Sequence, residues 1–310
     1  MTAQTWIDET RDLLLTDYVE ELATLGADIN DSVTSVSFAL PSSVVPGVVP
    51  GATIEIGTEL MYVFAVTEGL ATVSRGHKGS AAAAHTAGDL VTVNPKFPAY
   101  QILNAINKEL FDLSSPQHGL YQVKNVEVTF NAAQDGYDLA GVTDDILGIY
   151  QITYSDPGSE DSEPAITNYS LRRNRNTSSF ASGYGLILYE DAWPGETVRV
   201  LYKTGFTSLT DSTTALSTTG LHAEAYDLPA LGAALRLMST RPIRREFLDE
   251  QGSSREAQEV PSGAVSASMR DLRQLRSDRI NAEATRLVGK YPDVWTRSGG
   301  RTQTSIYRGI

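Results

Sequence analysis

The chain of 310 residues contains no cysteine. That excludes disulfides, thiolate nucleophiles and cysteine-ligated zinc or iron–sulfur centres together. It fixes no compartment, because a reducing cytosol and a cysteine-free extracellular particle both accommodate such a chain. Long apolar runs are missing too: no stretch approaches the roughly 18 residues needed to span a bilayer. The first residues, Met1 to Glu9, lack a basic region followed by an apolar one. No signal peptide is therefore expected, and the chain reads as soluble and non-exported, with no membrane partner. The sequence also lacks a G-x-S-x-G elbow, a phosphate-binding G-x-x-x-x-G-K-[ST] loop and an H-E-x-x-H pair, which removes the commonest hydrolase, nucleotide and zinc-peptidase templates.

What is present is ordinary for a globular protein: 41% hydrophobic and 20% charged residues, enough for a sizeable core. The formal net charge of −13 argues against general affinity for nucleic acid. Its distribution is uneven. Residues 1–100 carry four Lys/Arg against twelve Asp/Glu, whereas residues 241–310 carry thirteen against nine. An acidic body with a basic end suits contact between copies, or docking on another charged surface.

Leu14, Tyr18, Leu22 and Leu25 fall at helical spacing and predict a helix over 4–25, stopped by Gly26. Residues 33–56 are strand-prone but broken by Pro41, Pro46 and Pro50. A compact β module follows, with strands at 61–66, 71–74 and 90–93 and loops carrying Arg75, His77, Lys78 and His85. Ile102, Ile106, Leu110 and Leu113 mark a second helix. Strand signals at 123–130, 147–154, 184–189 and 197–202 predict an antiparallel sandwich or small barrel over 120–205. Beyond a Ser/Thr-rich linker at 207–220, Leu228 to Met238 read as helical and Pro242 ends or kinks that helix. The longest helix is expected over 264–289, with Val265, Met269, Leu272, Ile280, Ala284 and Leu287 inward, before a polar tail, 293–310.

Few residues suggest chemistry. His77 and His85 share a loop region with Asp89, but zinc wants three or four ligands, and His85 is better suited to pinning the loop. Gly76 to Ser80 resembles an anion nest, but the glycines are too close together for a phosphate loop. Asp144 and Asp145 could be an acid–base pair, which would make the chain a hydrolase, or two acids of an ordinary turn. No cofactor is called for. Arg172, Arg173 and Arg175 form a basic hairpin tip beside Tyr169, suited to phosphate or an acidic partner. Arg244, Arg245, Arg270, Arg273, Arg276 and Arg279 are candidates for contact between subunits, because arginine is favoured at interfaces and too many project from one helix for intrachain pairing alone.

Two regions together resemble a known family. The first contains Glu59-Leu-Met-Tyr-Val, Val73-Ser-Arg-Gly-His-Lys-Gly-Ser, Ala84-His-Thr-Ala-Gly-Asp and Val93-Asn-Pro-Lys-Phe-Pro. The second contains Asp227-Leu-Pro-Ala-Leu-Gly-Ala-Ala, Arg244-Arg245, Glu259-Val-Pro-Ser-Gly-Ala, the arginine-rich helix and Lys290-Tyr-Pro. The combination is similar to the head-to-tail connector (adaptor) proteins of long-tailed bacteriophages and covers about half the chain. The β module alone also resembles parts of other virion proteins.

The resemblance implies an α+β protein with a helical adaptor core, into which a small β module and a larger antiparallel β domain are inserted. In that scheme residues 1–30 are the N-terminal core helix, 31–95 the β module, 96–116 a core helix and 117–206 the β domain. Residues 207–292 are the linker and C-terminal core helices, and 293–310 an extended tail. It further implies a homo-oligomeric ring, usually of twelve copies, in the virion neck and assembled in the host cytoplasm. The portal protein would be one partner and a downstream neck or tail protein another. DNA would pass through the lumen without sequence-specific binding. Family adaptors insert a C-terminal segment into the portal, which makes Trp295, Arg297, Arg301, Tyr307 and Arg308 the expected portal contacts. The alternative is a tail or baseplate protein whose β domain binds a partner or a carbohydrate.

Overall fold

A computed structural model of the chain describes residues 1–14, 21–39, 47–67, 69–134, 136–155, 163–190, 195–240 and 264–291. Among these residues the protein is mostly β, with twelve strands in three antiparallel sheets and four α-helices. The expected helical adaptor core is therefore corrected. Two compact units are formed, Met1–Glu109 with Ser208–Arg279, and Leu110–Thr207 with Ile280–Ile310, and each is organised on sheet.

The first unit contains β1 (Glu21–Thr24), β2 (Ser35–Ser37), β3 (Thr53–Ile56), β4 (Glu59–Thr67), β5 (Leu70–Ser74) and β6 (Leu90–Val93), in the order β1-β6-β3-β4-β5-β2. Its two edge strands meet just past their ends. Leu25 bridges Phe38, the Gly26 amide donates to the Ser37 carbonyl at 2.8 Å, and the Ala39 amide donates to Thr24 at 2.8 Å. The sheet thus curls until its edges join, which removes the exposed edge that invites aggregation. A register shift between Val63 and Ala65 of β4 supplies part of the bend. Alternate residues point inward and fill one core, among them Ala23, Leu25, Val36, Ile54, Met61 and Val91.

The first helix, α1 (Ala3–Leu14), stops well short of residue 25. Glu21–Thr24 instead pairs with β6, and Tyr18 lies outside the described residues. The helical spacing of Leu22 and Leu25 is coincidental: Leu22 is 55% exposed, while Ala23 and Leu25 are buried. That is the twofold alternation of a strand. Ala3, Trp6, Ile7, Thr10 and Leu14 form the buried stripe of α1. The helix packs against α3 (Asp227–Thr240), and the Trp6 ring stands edge-on to Tyr226 at 5.5 Å. α2 (Ala99–Leu113) and α4 (Ala264–Lys290) are the remaining helices. On α4, Ile280 and Leu287 are buried and Met269, Leu272 and Ala284 are half-buried; the Val265 side chain lies outside the described residues. None of the described helices is long and apolar enough to cross a membrane.

The second unit contains β7 (Gln122–Thr129), β8 (Tyr137–Asp138), β9 (Ile146–Tyr154), β10 (Tyr169–Arg172), β11 (Gly185–Leu188) and β12 (Thr197–Thr204). They form two three-stranded sheets, β7-β12-β9 and β10-β11-β8. Tyr137 and Leu186 of one sheet share a core with Ile152, Val198, Val200 and Tyr202 of the other, which makes this unit a small sandwich.

The strand assignment of residues 21–25 has a direct test. Leu22→Asp should change stability by no more than about 0.5 kcal/mol, whereas Leu25→Ala should cost about 2–5 kcal/mol, both read from urea unfolding. Equal, large losses at the two positions would restore the helical assignment.

Candidate functional site

The loop residues of the β module converge on one carboxylate. Glu59 opens β4 with its side chain wholly out of solvent, and Arg75 and His85 are only 7% and 8% exposed beside it. Arg75 Nε donates to Glu59 Oε1 and Nη2 to Oε2, both at 2.7 Å. The His85 ring meets Oε2 at 2.9 Å, with Nε2 facing the carboxylate. The Ala83 amide donates to Oε2 at 3.0 Å and the Gly76 amide to Oε1 at 3.2 Å. Burial pushes the Glu59 carboxyl up, but the hydrogen bonds from Arg75, His85, Ala83 and Gly76 outweigh it and hold the group at about 2.

Arg75 is saturated in turn. Its remaining guanidinium hydrogens go to the carbonyls of Asn30, Val33 and Ala83, so all five donors of the fork are used. Between these anchors Gly76 adopts φ 62°, where an added Cβ would lie 3.0 Å from the Ser80 carbonyl. Ser80 Oγ accepts from the Leu60 amide at 2.9 Å, and the Lys78 carbonyl accepts from Tyr100 Oη at 3.1 Å. His77 rests 5.3 Å from the Tyr62 ring. Asp89 accepts from the Thr86 amide and hydroxyl. His77, His85 and Asp89 therefore serve three separate partners, and among the described residues no group of three potential metal ligands assembles.

Asp144 and Asp145 also diverge. Asp144 pairs with Lys124 at 2.7 Å, and Asp145 accepts from Tyr184 Oη at 2.8 Å. Arg276 donates to Glu109 Oε1 at 2.6 Å, and Arg279 grips Asp227 with two hydrogen bonds of 2.7 and 2.9 Å. These two are engaged within the chain. Arg270 and Arg273 lie on the exposed side. Arg244, Arg245, Trp295, Arg297, Arg301, Tyr307 and Arg308 lie outside the described residues.

Two buried acids of the first unit, Glu109 and Glu55, went unforeseen. Glu109 of α2 is 1% exposed, and it accepts from Arg236 of α3 at 3.0 Å as well as from Arg276 of α4. Gly232 of α3 makes the room: a Cβ there would fall 2.0 Å from Glu109 Cδ. The signal in the sequence is an acid on the apolar stripe of α2, between Ile106 and Leu110. Glu55, buried in the middle of β3, pairs with Arg11 of α1 and accepts from the Ala99 amide at 2.5 Å. Its charge thereby faces the N-terminus of α2, where an anion is favoured.

No family model matches this chain, and no curated protein matches it.

Glu59→Gln should cost about 3–5 kcal/mol at neutral pH, because it leaves Arg75 buried without its counter-charge. The carboxyl is lowered from its ordinary 4.5 to about 2. Its contribution is therefore complete above pH 4.5 and disappears as pH falls through 2. Thermal melts across that window should fall steeply for the wild type and less steeply for the variant; parallel curves would refute the assignment. A second outcome concerns Gly232→Ala, which should lose at least about 3 kcal/mol by displacing Glu109 from its arginines. In urea unfolding the Gly232→Ala/Glu109→Ala pair should be less destabilised than the two single losses added together.

Proposed function

We propose that this chain is a non-enzymatic structural protein of a tailed-phage virion, a head-to-tail connector that forms a ring at the neck. In this reading the ring sits between the portal and a neck or tail protein and surrounds the DNA channel. The observation that carries the reading is the knot at Glu59. Arg75 and His85 are the loop residues on which the family resemblance rests, and their polar groups are spent on holding loops, not left free to act on a substrate. A module of that kind serves as a rigid block, which is what a particle component under mechanical load requires. The net charge of −13 suits a channel wall past which DNA slides without adhering. A heterologous contact between acidic and basic faces of neighbouring copies closes a ring without further components.

A second reading, a tail or baseplate protein whose β domain takes a partner or a sugar, is favoured by a run of rings in the second unit. Lys203 Nζ lies 4.4 Å from the Tyr121 ring centroid and 6.0 Å from that of Tyr150, which stands edge-on to Tyr291 at 5.4 Å. Half-buried aromatic rings of this kind keep a face for stacking on a ligand.

Negative-stain microscopy and particle mass separate the two. A connector should form rings, twelve-fold by the family analogy, and should lose portal binding with its fold intact when residues 293–310 are deleted. A trimer or monomer with carbohydrate affinity would favour the second reading. A monomer under all conditions, with or without portal, would sink the ring.

A further inference from the structure

The hairpin between β10 and β11 is built around two glycines and one aromatic ring. Phe180 lies against both: a Cβ on Gly185 would be 3.2 Å from Phe180 Cε1, and one on Gly136 would be 3.5 Å from Cζ. The guanidinium of Arg175 stacks on this ring at 5.0 Å from its centroid, an arrangement that restrains the side chain while leaving its donors free. The returning loop is tied down by Asp138, which accepts from the Ala181 amide at 2.9 Å, the Ser182 amide at 3.2 Å and Ser182 Oγ at 2.5 Å. The Phe180 amide donates to Asn176 at 2.9 Å and the Gly183 amide to Phe180 at 2.8 Å.

On this platform stand three exposed arginines, Arg172, Arg173 and Arg175. Arg172 ends β10 opposite Gly185, which offers it no side chain. Among the described residues Arg173 Nη2 donates to the Leu147 carbonyl, at 3.2 Å. Among the described residues none of the three pairs with a carboxylate. Other cations of the same unit do: Lys124 with Asp144, Arg199 with Glu127 and Glu163, and Arg286 with Glu283. Three unneutralised guanidiniums on one ordered loop are out of keeping with a chain of net charge −13, and like charges held together cost free energy unless a partner neutralises them.

We propose that Arg172, Arg173 and Arg175 form a docking tip for a carboxylate-rich segment of a partner protein. The planar forks match carboxylates two bonds at a time. The preset loop lowers the ordering cost of binding. A nucleic acid is the poorer fit. Its phosphates recur every 1.7 Å or so along a duplex and need a broad positive surface, whereas Asp138, Asp144, Asp145 and Glu190 belong to the same unit. The proposal holds independently of the connector reading.

The test uses the full chain and a fluorescein-labelled decaglutamate peptide, followed by anisotropy at low salt, with a short DNA duplex as the competing probe. The wild type should bind the peptide more tightly than the duplex. Arg172→Ala/Arg173→Ala/Arg175→Ala should weaken peptide binding at least about tenfold with an unchanged melting temperature, since all three side chains are exposed. Phe180→Ala should weaken it too, by freeing Arg175, and circular dichroism on that variant confirms that the sandwich persists. Failure of the wild type to bind, equal binding by the triple variant, or tighter arginine-dependent binding of the duplex would each overturn the proposal.

Discussion

The carboxylate of Glu59 has no access to water and accepts hydrogen bonds from Arg75, His85 and the amides of Gly76 and Ala83. Removing a carboxylate from water is expensive, so the structure around it must supply donors with good geometry or the group would protonate. That demand fixes much else. β5 has to end where Arg75 can reach back to the start of β4. The loop through Gly76 and Ser80 has to present two amides at the right depth. The segment at Asn30 to Val33 has to offer carbonyls to the far side of the guanidinium. The strands alone leave these loops many courses, and the buried charge selects one.

The same device recurs twice more in the first unit. Glu55 joins β3 to Arg11 of α1 and to the first amide of α2. Glu109 joins α2 to Arg236 and Arg276. Each acid thus ties together elements that are far apart in sequence. Such pairs contribute little net stability, because desolvation offsets most of the Coulombic attraction, but they penalise every arrangement that leaves one partner alone. Apolar packing supplies the driving force and tolerates small slips. Buried carboxylates do not: Glu55 constrains α1 and α2 against β3, and Glu109 constrains α2 against the helices that carry Arg236 and Arg276.

Strands rich in β-branched and aromatic residues were legible in the sequence. The stretches at 61–66, 90–93, 147–154 and 197–202 fall within β4, β6, β9 and β12, because such runs bounded by turn residues favour strand, and in β12 burial also alternates along the residue order. β1 was not, since the two leucines that decided for a helix include one that faces solvent. β8 and β10 are short and polar at their ends, so no window of periodicity contains them. At the knot, Arg75 and His85 stood out as loop residues, but Glu59 was not singled out. Its partners lie sixteen and twenty-six residues away, and no local pattern encodes a contact of that separation. The helical core failed for a related reason: four helices can be recognised singly, but whether they pack on one another or on sheet depends on long-range pairing.

Two groups of arginines stand in different surroundings. On α4, Arg276 and Arg279 are held by Glu109 and Asp227. In the β10–β11 hairpin a smaller group pairs with no acid among the described residues and stands on a loop that a phenyl ring and Asp138 hold in place. Charge that is already paired within a chain has little left to give a partner, because a new partner must first displace the old one. Charge that is ordered and unpaired gives up only its hydration on binding. An ordered hairpin whose guanidiniums are exposed therefore has a smaller cost to meet on binding than a helix whose arginines already hold Glu109 and Asp227.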